Sequence, residues 1–281
     1  MALSRDLREL WLAGAGSEDD RLMLARLWDL AARAEARSET TAGFFLDERQ
    51  QAKVSALWRR VGARVPLRLL MWGGRAEADR KVPLFVPEYL VSSADDADLQ
   101  TIITGLGIDP LAYFRVEFSR QDGPGHRDLL GALLGLGIDR NRTGDILLHD
   151  SGAELIVTQN VAETVARDFR QAGHFPLNVQ SLGSAEELRV SVPELRILRV
   201  TVASLRLDNV LAAVWHLNRE KAKELITEGL VTLDGLAELR PAKTVREGQL
   251  LRCRGFGKAR VLHVGGQSRK GREWVEVGLY V

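Results

Sequence analysis

The chain has 281 residues, 39 Lys or Arg against 38 Asp or Glu, a formal net charge of +1, 45% hydrophobic residues and 27% charged ones. This is the composition of folded globular protein long enough for two or three cores, which excludes a disordered chain. A single cysteine, Cys253, excludes an intramolecular disulfide and argues against a cysteine-based zinc site; the five histidines have no ligand spacing, and no apolar run approaches bilayer length.

Residues 1–81 read as a helical N-terminal domain. Leu22, Leu24, Leu27, Trp28, Leu30 and Ala31 form one broad apolar face at helical spacing. A second helix is expected from an Asp47 N-cap through Val54, Leu57, Trp58 and Val61, with Gln50 placed to complete a capping box. Pro66 and Gly73-Gly74 interrupt the pattern.

Residues 82–184 change character. Strands are expected at Leu84–Leu90 and Tyr113–Phe118, and a helix over Gly125–Leu136 with Leu129, Leu130, Leu133 and Leu134 inward. A hairpin should turn at Asp150-Ser151-Gly152 between Ile146–His149 and Glu154–Thr158. Asn160 should cap a helix reaching Phe169, Gly173 should stop it, and a strand near Pro176–Gln180 closes the unit. Interleaved strands and helices of this size fit an α+β sandwich with helices on one face. Residues 185–194 read as a linker.

The third segment, 195–281, carries 16 Lys or Arg and 9 Asp or Glu, a net of +7, whereas the preceding 194 residues carry 23 and 29. Leu207, Val210, Leu211, Val214 and Leu217 make one buried helical stripe. Asn218 is placed to cap a second helix over Arg219–Glu228, Gly229 to end it, and Asp234-Gly235 to turn a strand starting at Leu230. A strand at Leu250–Arg254 should put Arg252 and Arg254 on one side, because strand side chains alternate. From Arg252 to Arg272 there are seven basic residues and no acid. A solvated charged surface is the ordinary reading of such a run. Here no acids neutralise it and a helix-turn-helix with further cations adjoins it, so a polyanionic partner is the better account.

Leu205-Arg206-Leu207-Asp208, Arg219 to Ile226, Gly229-Leu230-Val231 and Asp234-Gly235 together resemble the alpha-L RNA-binding domain, named after ribosomal protein S-four. Phe44 to Gln50, Trp72 to Lys81, Gly125 to Ile138, Thr143-Gly144-Asp145-Ile146, Arg254 to Lys258 and Ser268 to Arg272 follow in the order of bacterial YlmH-type RNA-binding proteins. The chain is similar to that family over nearly its full length. Asp79 stands where the family usually has Arg, and Asp234 where it prefers Asn. The resemblance implies an RNA-recognition-like (ferredoxin-like) central domain. It also implies a non-enzymatic factor of the large ribosomal subunit, acting in ribosome quality control on subunits that still carry peptidyl-tRNA.

Other motifs fail on inspection. His126-Arg127-Asp128 copies the kinase triplet, but Leu133 occupies the position of the required Asn and there is no Asp-Phe-Gly. Arg254-Gly255-Phe256-Gly257 opens like an RNA-recognition octamer and breaks at Lys258-Ala259. Phe114 and Phe118 read as core rather than as base-stacking platforms. Arg206-Leu207-Asp208 resembles a pseudouridine synthase triplet, yet it opens the alpha-L helix, where Asp208 would cap or pair locally. Gly131, Gly135 and Gly137 lack dinucleotide or P-loop spacing and read as close-packing and helix-stop positions.

The expected protein is therefore a multidomain α+β, cytoplasmic, monomeric RNA-binding protein without catalytic residues, metal or cofactor and without a membrane partner. Its partners are structured RNA (large-subunit ribosomal RNA, with tRNA) and the large ribosomal subunit. Arg206, Arg219, Lys221, Lys223, Arg252, Arg254 and Lys258 are expected at phosphates, with Lys243, Arg260, Arg269, Lys270 and Arg272 extending the footprint. The alternative is an RNA-modifying enzyme, of pseudouridine synthase or methyltransferase class, that docks through the same C-terminal segment. The acidic N-terminal part could in addition face a protein partner.

Overall fold

The computed structural model describes residues 3–91, 99–118, 123–189, 195–267 and 272–280. The chain divides into two compact units, Met1–Val190 and Ser191–Val281.

The first unit opens with α1 (Arg5–Leu12) and α2 (Glu18–Arg37), each capped by a serine hydroxyl: Ser4 accepts from Leu7 N and Ser17 from Asp20 N. After β1 (Thr41–Ala42), α3 (Glu48–Val61) starts at Asp47 in a full capping box, with Gln50 N donating to Asp47 at 2.8 Å and Asp47 N to Gln50 at 3.0 Å. The apolar faces of the three helices meet around Trp11, whose indole donates to the Leu24 carbonyl at 2.7 Å and stands edge-on to Trp58.

Next come β2 (Leu67–Trp72), β3 (Val82–Pro87), α4 (Glu88–Val91) and α5 (Leu99–Leu106). The expected all-helical start is corrected here. The breakers Pro66 and Gly73-Gly74 delimit a strand, not a gap between helices, and β2 pairs antiparallel with β3, which also pairs with β1. The strand expected over Leu84–Leu90 begins at Val82 and gives way to α4 at Glu88, just past Pro87, which has no N–H to extend a ladder.

The remainder of this unit runs β4 (Leu111–Glu117), α6 (His126–Gly135), β5 (Thr143–His149), β6 (Gly152–Thr158), α7 (Ala162–Asp168), the short pair β7 (Gln171–Ala172) and β8 (Phe175–Pro176), and β9 (Asn178–Leu182). The four long strands form one antiparallel sheet in the order β5-β6-β4-β9, the split β-α-β arrangement of ferredoxin-like folds. Phe114, Val116, Leu155 and Val157 face α6 and α7, and Phe118 packs with them, so both phenylalanines are core. Leu111, Tyr113, Ile156 and Leu182 point the other way and are covered by Trp72, Val82, Leu84 and Val86 from the N-terminal sheet. Every residue of β6 is buried as a result.

Four local expectations fail. Gly173, at φ +61°, does not stop α7, which ends at Asp168, but turns the β7–β8 pair. Leu134 is 43% exposed, whereas Leu129 and Leu133 are buried against the sheet and Leu130 packs partly on the same core. Gly131 and Gly135 have open space where a Cβ would stand, so packing does not require them; Gly137, at φ +77°, does end the helix. Asn160 sits in a 3-10 turn before α7, and its Oδ1 accepts from Thr158 instead of capping.

The second unit is β10 (Leu195–Val202), α8 (Leu207–Val214), α9 (Arg219–Thr227), β11 (Val231–Leu233), β12 (Leu236–Ala237), β13 (Leu250–Cys253), β14 (Gly257–Gln267) and β15 (Glu273–Tyr280). Its antiparallel sheet has the order β10-β15-β14-β13-β11-β12. Leu207, Val210, Leu211, Val214, Ala222, Leu225 and Ile226 seal one face of that sheet, over Leu251, Val261, Val275 and Val277. Asn218 caps α9 by accepting from Lys221 N at 2.7 Å, and Asp234 and Gly235, both at positive φ, turn the β11–β12 hairpin.

Candidate nucleic-acid interface

Two clusters of cations arise in the second unit. The first surrounds the start of α8. Asp208 is 0% exposed and sits between two arginines. Arg206 donates to it from Nε at 3.0 Å and Nη2 at 2.9 Å, and Arg219 from Nε at 3.2 Å. Burial pushes this carboxyl up, but the hydrogen bonds from Arg206 and Arg219 outweigh it and hold the group below the ordinary aspartate value. The loop carrying Lys243 closes the cluster, its carbonyl accepting from Leu207 N at 2.8 Å. The guanidinium groups are thus fixed from below by a buried anion while their outer edges meet solvent, a rigid pair of forks suited to phosphate. The local pairing expected of Asp208 is present.

The second cluster lies on the face of the sheet that carries no helix. Arg252 of β13 is in register with Lys258 of β14, and Thr232 of β11 flanks Arg252. With Arg254, Leu230 and Tyr280 they line an open cleft of about 600 Å³. Lys258 Nζ lies 4.9 Å from the centre of the Tyr280 ring, and Arg260 Nε donates to the Tyr280 hydroxyl at 3.2 Å. Strand alternation does not place Arg254, since β13 ends at Cys253; Arg254 stands in the following turn, its N–H bonded to the Leu230 carbonyl.

The remaining expected contacts divide. Lys221 is paired with Glu224 at 3.0 Å and Lys223 with Glu220 at 2.8 Å, so α9 offers less free charge than its sequence suggests. Arg272 donates to the Thr201 carbonyl at 3.2 Å on the β15 side of the sheet. Arg269 and Lys270 lie outside the described residues. Two aromatics were not among the expected contacts. Tyr280 reaches Lys258 only through β14–β15 pairing across more than twenty residues. Phe256, 42% exposed at the β13–β14 turn, was legible: an aromatic between two glycines in a turn has no core to enter.

Family-signature residues in the first unit do something different. Arg80 Nε donates to the Thr143 carbonyl at 3.0 Å, and its Nη2 to the Phe45 and Arg140 carbonyls, both at 3.2 Å. Asp145 accepts from the Asp79 and Arg80 N–H groups at 2.9 and 3.1 Å. Burial, with Arg140 nearby, pushes the Arg80 guanidinium down to about 10, and burial raises the Asp145 carboxyl. Gly144 sits so close to Phe45 that a Cβ would stand 2.6 Å from the ring, and Gly74, at φ +83°, passes over Tyr113. Three sequence-distant signatures thus meet in one polar knot that ties the helical start of the chain to the ferredoxin-like sheet.

Fold and cationic surface together define a multidomain α+β RNA-binding protein. A family model described as "Putative RNA-binding domain in YlmH" matches residues 116–186. Over 256 residues the chain is 30% identical to "Ribosome-associated protein quality control protein P2" of Bacillus subtilis (strain 168), spanning 90% of this chain and 92% of that protein. The chain belongs to the YlmH family. A solved structure, "Cell division protein ylmH from Streptococcus pneumoniae", aligns over 62% of this chain and 97% of its own length at 17% identity, with a TM-score of 0.47.

Proposed function

We propose that this protein is a non-catalytic RNA-binding factor that docks segment 195–281 on structured RNA of the large ribosomal subunit and acts there, beside peptidyl-tRNA, in ribosome-associated quality control. The observation that carries this reading is the cleft of Arg252, Arg254 and Lys258 on the helix-free sheet face, walled by Tyr280. The name of the Bacillus subtilis relative supports the ribosomal setting. Arg252 on its strand, Arg254 in the turn after it and the Arg206–Arg219 fork pair held by the Asp208 carboxylate read phosphate spacing; an A-form major groove is too narrow to be read by side chains, so recognition is of shape and backbone. The protein works in the cytoplasm as a monomer.

The test is co-sedimentation of the full chain with large subunits across a salt series. With six to ten phosphate contacts the affinity falls by about 10³–10⁵ between 50 and 200 mM salt, by analogy with duplex DNA. Arg252→Glu with Arg254→Glu should abolish co-sedimentation while the fold is retained, because both side chains are exposed. Arg219 is unsuitable for charge reversal, since a Glu there would face the buried Asp208. A flat salt dependence, or unchanged co-sedimentation of the double variant, overturns the reading.

A further inference from the structure

Ferredoxin-like RNA-binding domains commonly present the helix-free sheet face to single-stranded RNA. In this chain that face is closed, with Tyr113 3% exposed and Ile156 fully buried beneath Trp72 and Val82. Any RNA contact of the first unit must lie elsewhere. A cavity of about 900 Å³ opens at the rim of the same sheet, where α2, the segment after β1, the loop before β5 and the turn after β6 converge. Its volume lies within the roughly 300–1,000 Å³ range of small-ligand sites.

The lining has the groups that a nucleotide needs. Phe44 supplies a partly exposed aromatic wall, and Asn141, Gln159 and Asn160 supply amides. The Asn160 Oδ1 is engaged by Thr158, which leaves its N–H groups to donate, while Asn141 Oδ1 is buried with no hydrogen-bond partner among the described residues. Arg26, Arg33 and Arg142 bring three positive charges against those of Asp29 and Asp139. Arg33 is tied to Glu39, whereas no side-chain hydrogen bond or ion pair occupies Arg26 or Arg142 among the described residues.

We infer that this cleft binds an unpaired nucleotide of single-stranded RNA, its base against Phe44 and the amides and its phosphates between Arg26 and Arg142. The aromatic wall and the three amides favour this occupant over an acidic peptide, because they offer a base a stacking surface and edge partners, while the two carboxylates can accept from the ribose hydroxyl and from exocyclic amino groups. Asp139, Asn141, Arg142 and residues 158–160 of the lining fall inside the stretch matched by the RNA-binding family model. The site is separate from the C-terminal docking cleft and does not depend on that reading.

The test uses the full chain and a short fluorescent oligoribonucleotide carrying 4-thiouridine. Ultraviolet crosslinks should map to Phe44 or to segment 139–160. Arg26→Ala with Arg142→Ala should weaken oligonucleotide binding roughly tenfold or more, as expected for two lost charge-assisted contacts, with an unchanged melting temperature. Should that pair fail to fold, Asn160→Ala serves in its place and should weaken binding as well. Arg252→Glu with Arg254→Glu should leave these crosslinks in place, so the two sites fail independently. Crosslinks confined to 195–281 overturn the inference. So does binding indifferent to the cleft variants, or occupancy by free AMP, CMP, GMP or UMP with none by the oligonucleotide.

Discussion

Arg80→Ala tests whether the polar knot holds the first unit together. The side chain donates three hydrogen bonds, to the carbonyls of Phe45, Arg140 and Thr143, at 3.0–3.2 Å. A hydrogen bond from a charged donor contributes about 1.5–3 kcal/mol net when well shielded. The full sum is not available here: Arg80 is only half-buried, and its guanidinium pKa, lowered to about 10 by burial and by Arg140, records an environment that partly disfavours the cation. The expected net loss is therefore about 2–3 kcal/mol, a large share of the stability of a domain. Arg80→Lys keeps the charge but not the fork, and should lose most of that amount. Urea unfolding of the full chain gives the global figure. Amide exchange gives the local one: the Phe45 N–H, bonded to the Asn141 carbonyl at 2.8 Å, should exchange roughly thirty- to a hundredfold faster. A loss below about 1 kcal/mol with unchanged protection at Phe45 would refute the knot as a structural tie.

Arg115→Ala removes the guanidinium 2.9 Å from the fully buried Glu154 and leaves it only His149 Nε2, at 3.3 Å; a cost of about 3–5 kcal/mol is expected in urea unfolding. Adding Glu154→Gln to that variant should recover part of the loss, since the uncompensated charge disappears. Gly144→Ala places a Cβ 2.6 Å from Phe45 Cζ and 3.0 Å from the Ile156 carbonyl, and should lower stability by about 1–3 kcal/mol in the same assay. Asp208→Asn should flatten the acid side of the stability curve. The folded carboxyl lies below its unfolded value, so its contribution is complete above the ordinary aspartate range and fades as pH falls through the folded pKa. The gap between wild type and variant should therefore hold from neutrality down to that range and shrink below it; a constant gap to low pH would show that the charge is not what stabilises α8.

What could be read from the residues alone followed from local rules. The apolar stripes of α2, α3 and α8 (less Leu22, which is 51% exposed, and Leu217, which lies past the end of α8), the capping box at Asp47, the Asn218 cap and the Asp234-Gly235 turn depend on neighbours within a few positions, and each is present. The misreadings came from partners far along the chain. Leu67–Trp72 becomes a strand because Val82–Pro87 pairs with it, and α5 hides Ile103 in a core that the N-terminal and ferredoxin-like sheets build together. Charge counting had the same limit. It located the basic segment, but it could not see that Lys221 and Lys223 are neutralised on their own helix, nor that Tyr280 stands beside Lys258.

The signature residues of the first unit and the cations of the second are constrained differently, for a physical reason. Arg80, Gly144 and Asp145 satisfy buried backbone groups in fixed geometry, where a lost hydrogen bond or an added methyl has no remedy. Arg252 and Arg254 are exposed, and in the proposed docking they would meet a polyanion whose charge repeats along its length. An exchange of Arg for Lys at either position should shift affinity modestly, whereas the same exchange at Arg80 removes a fork that bridges three carbonyls. Arg80 in turn fixes the segments that present Phe44, Asn141 and Arg142, so a substitution buried in the knot should reach the rim cleft while leaving the C-terminal strands of Ser191–Val281 in place.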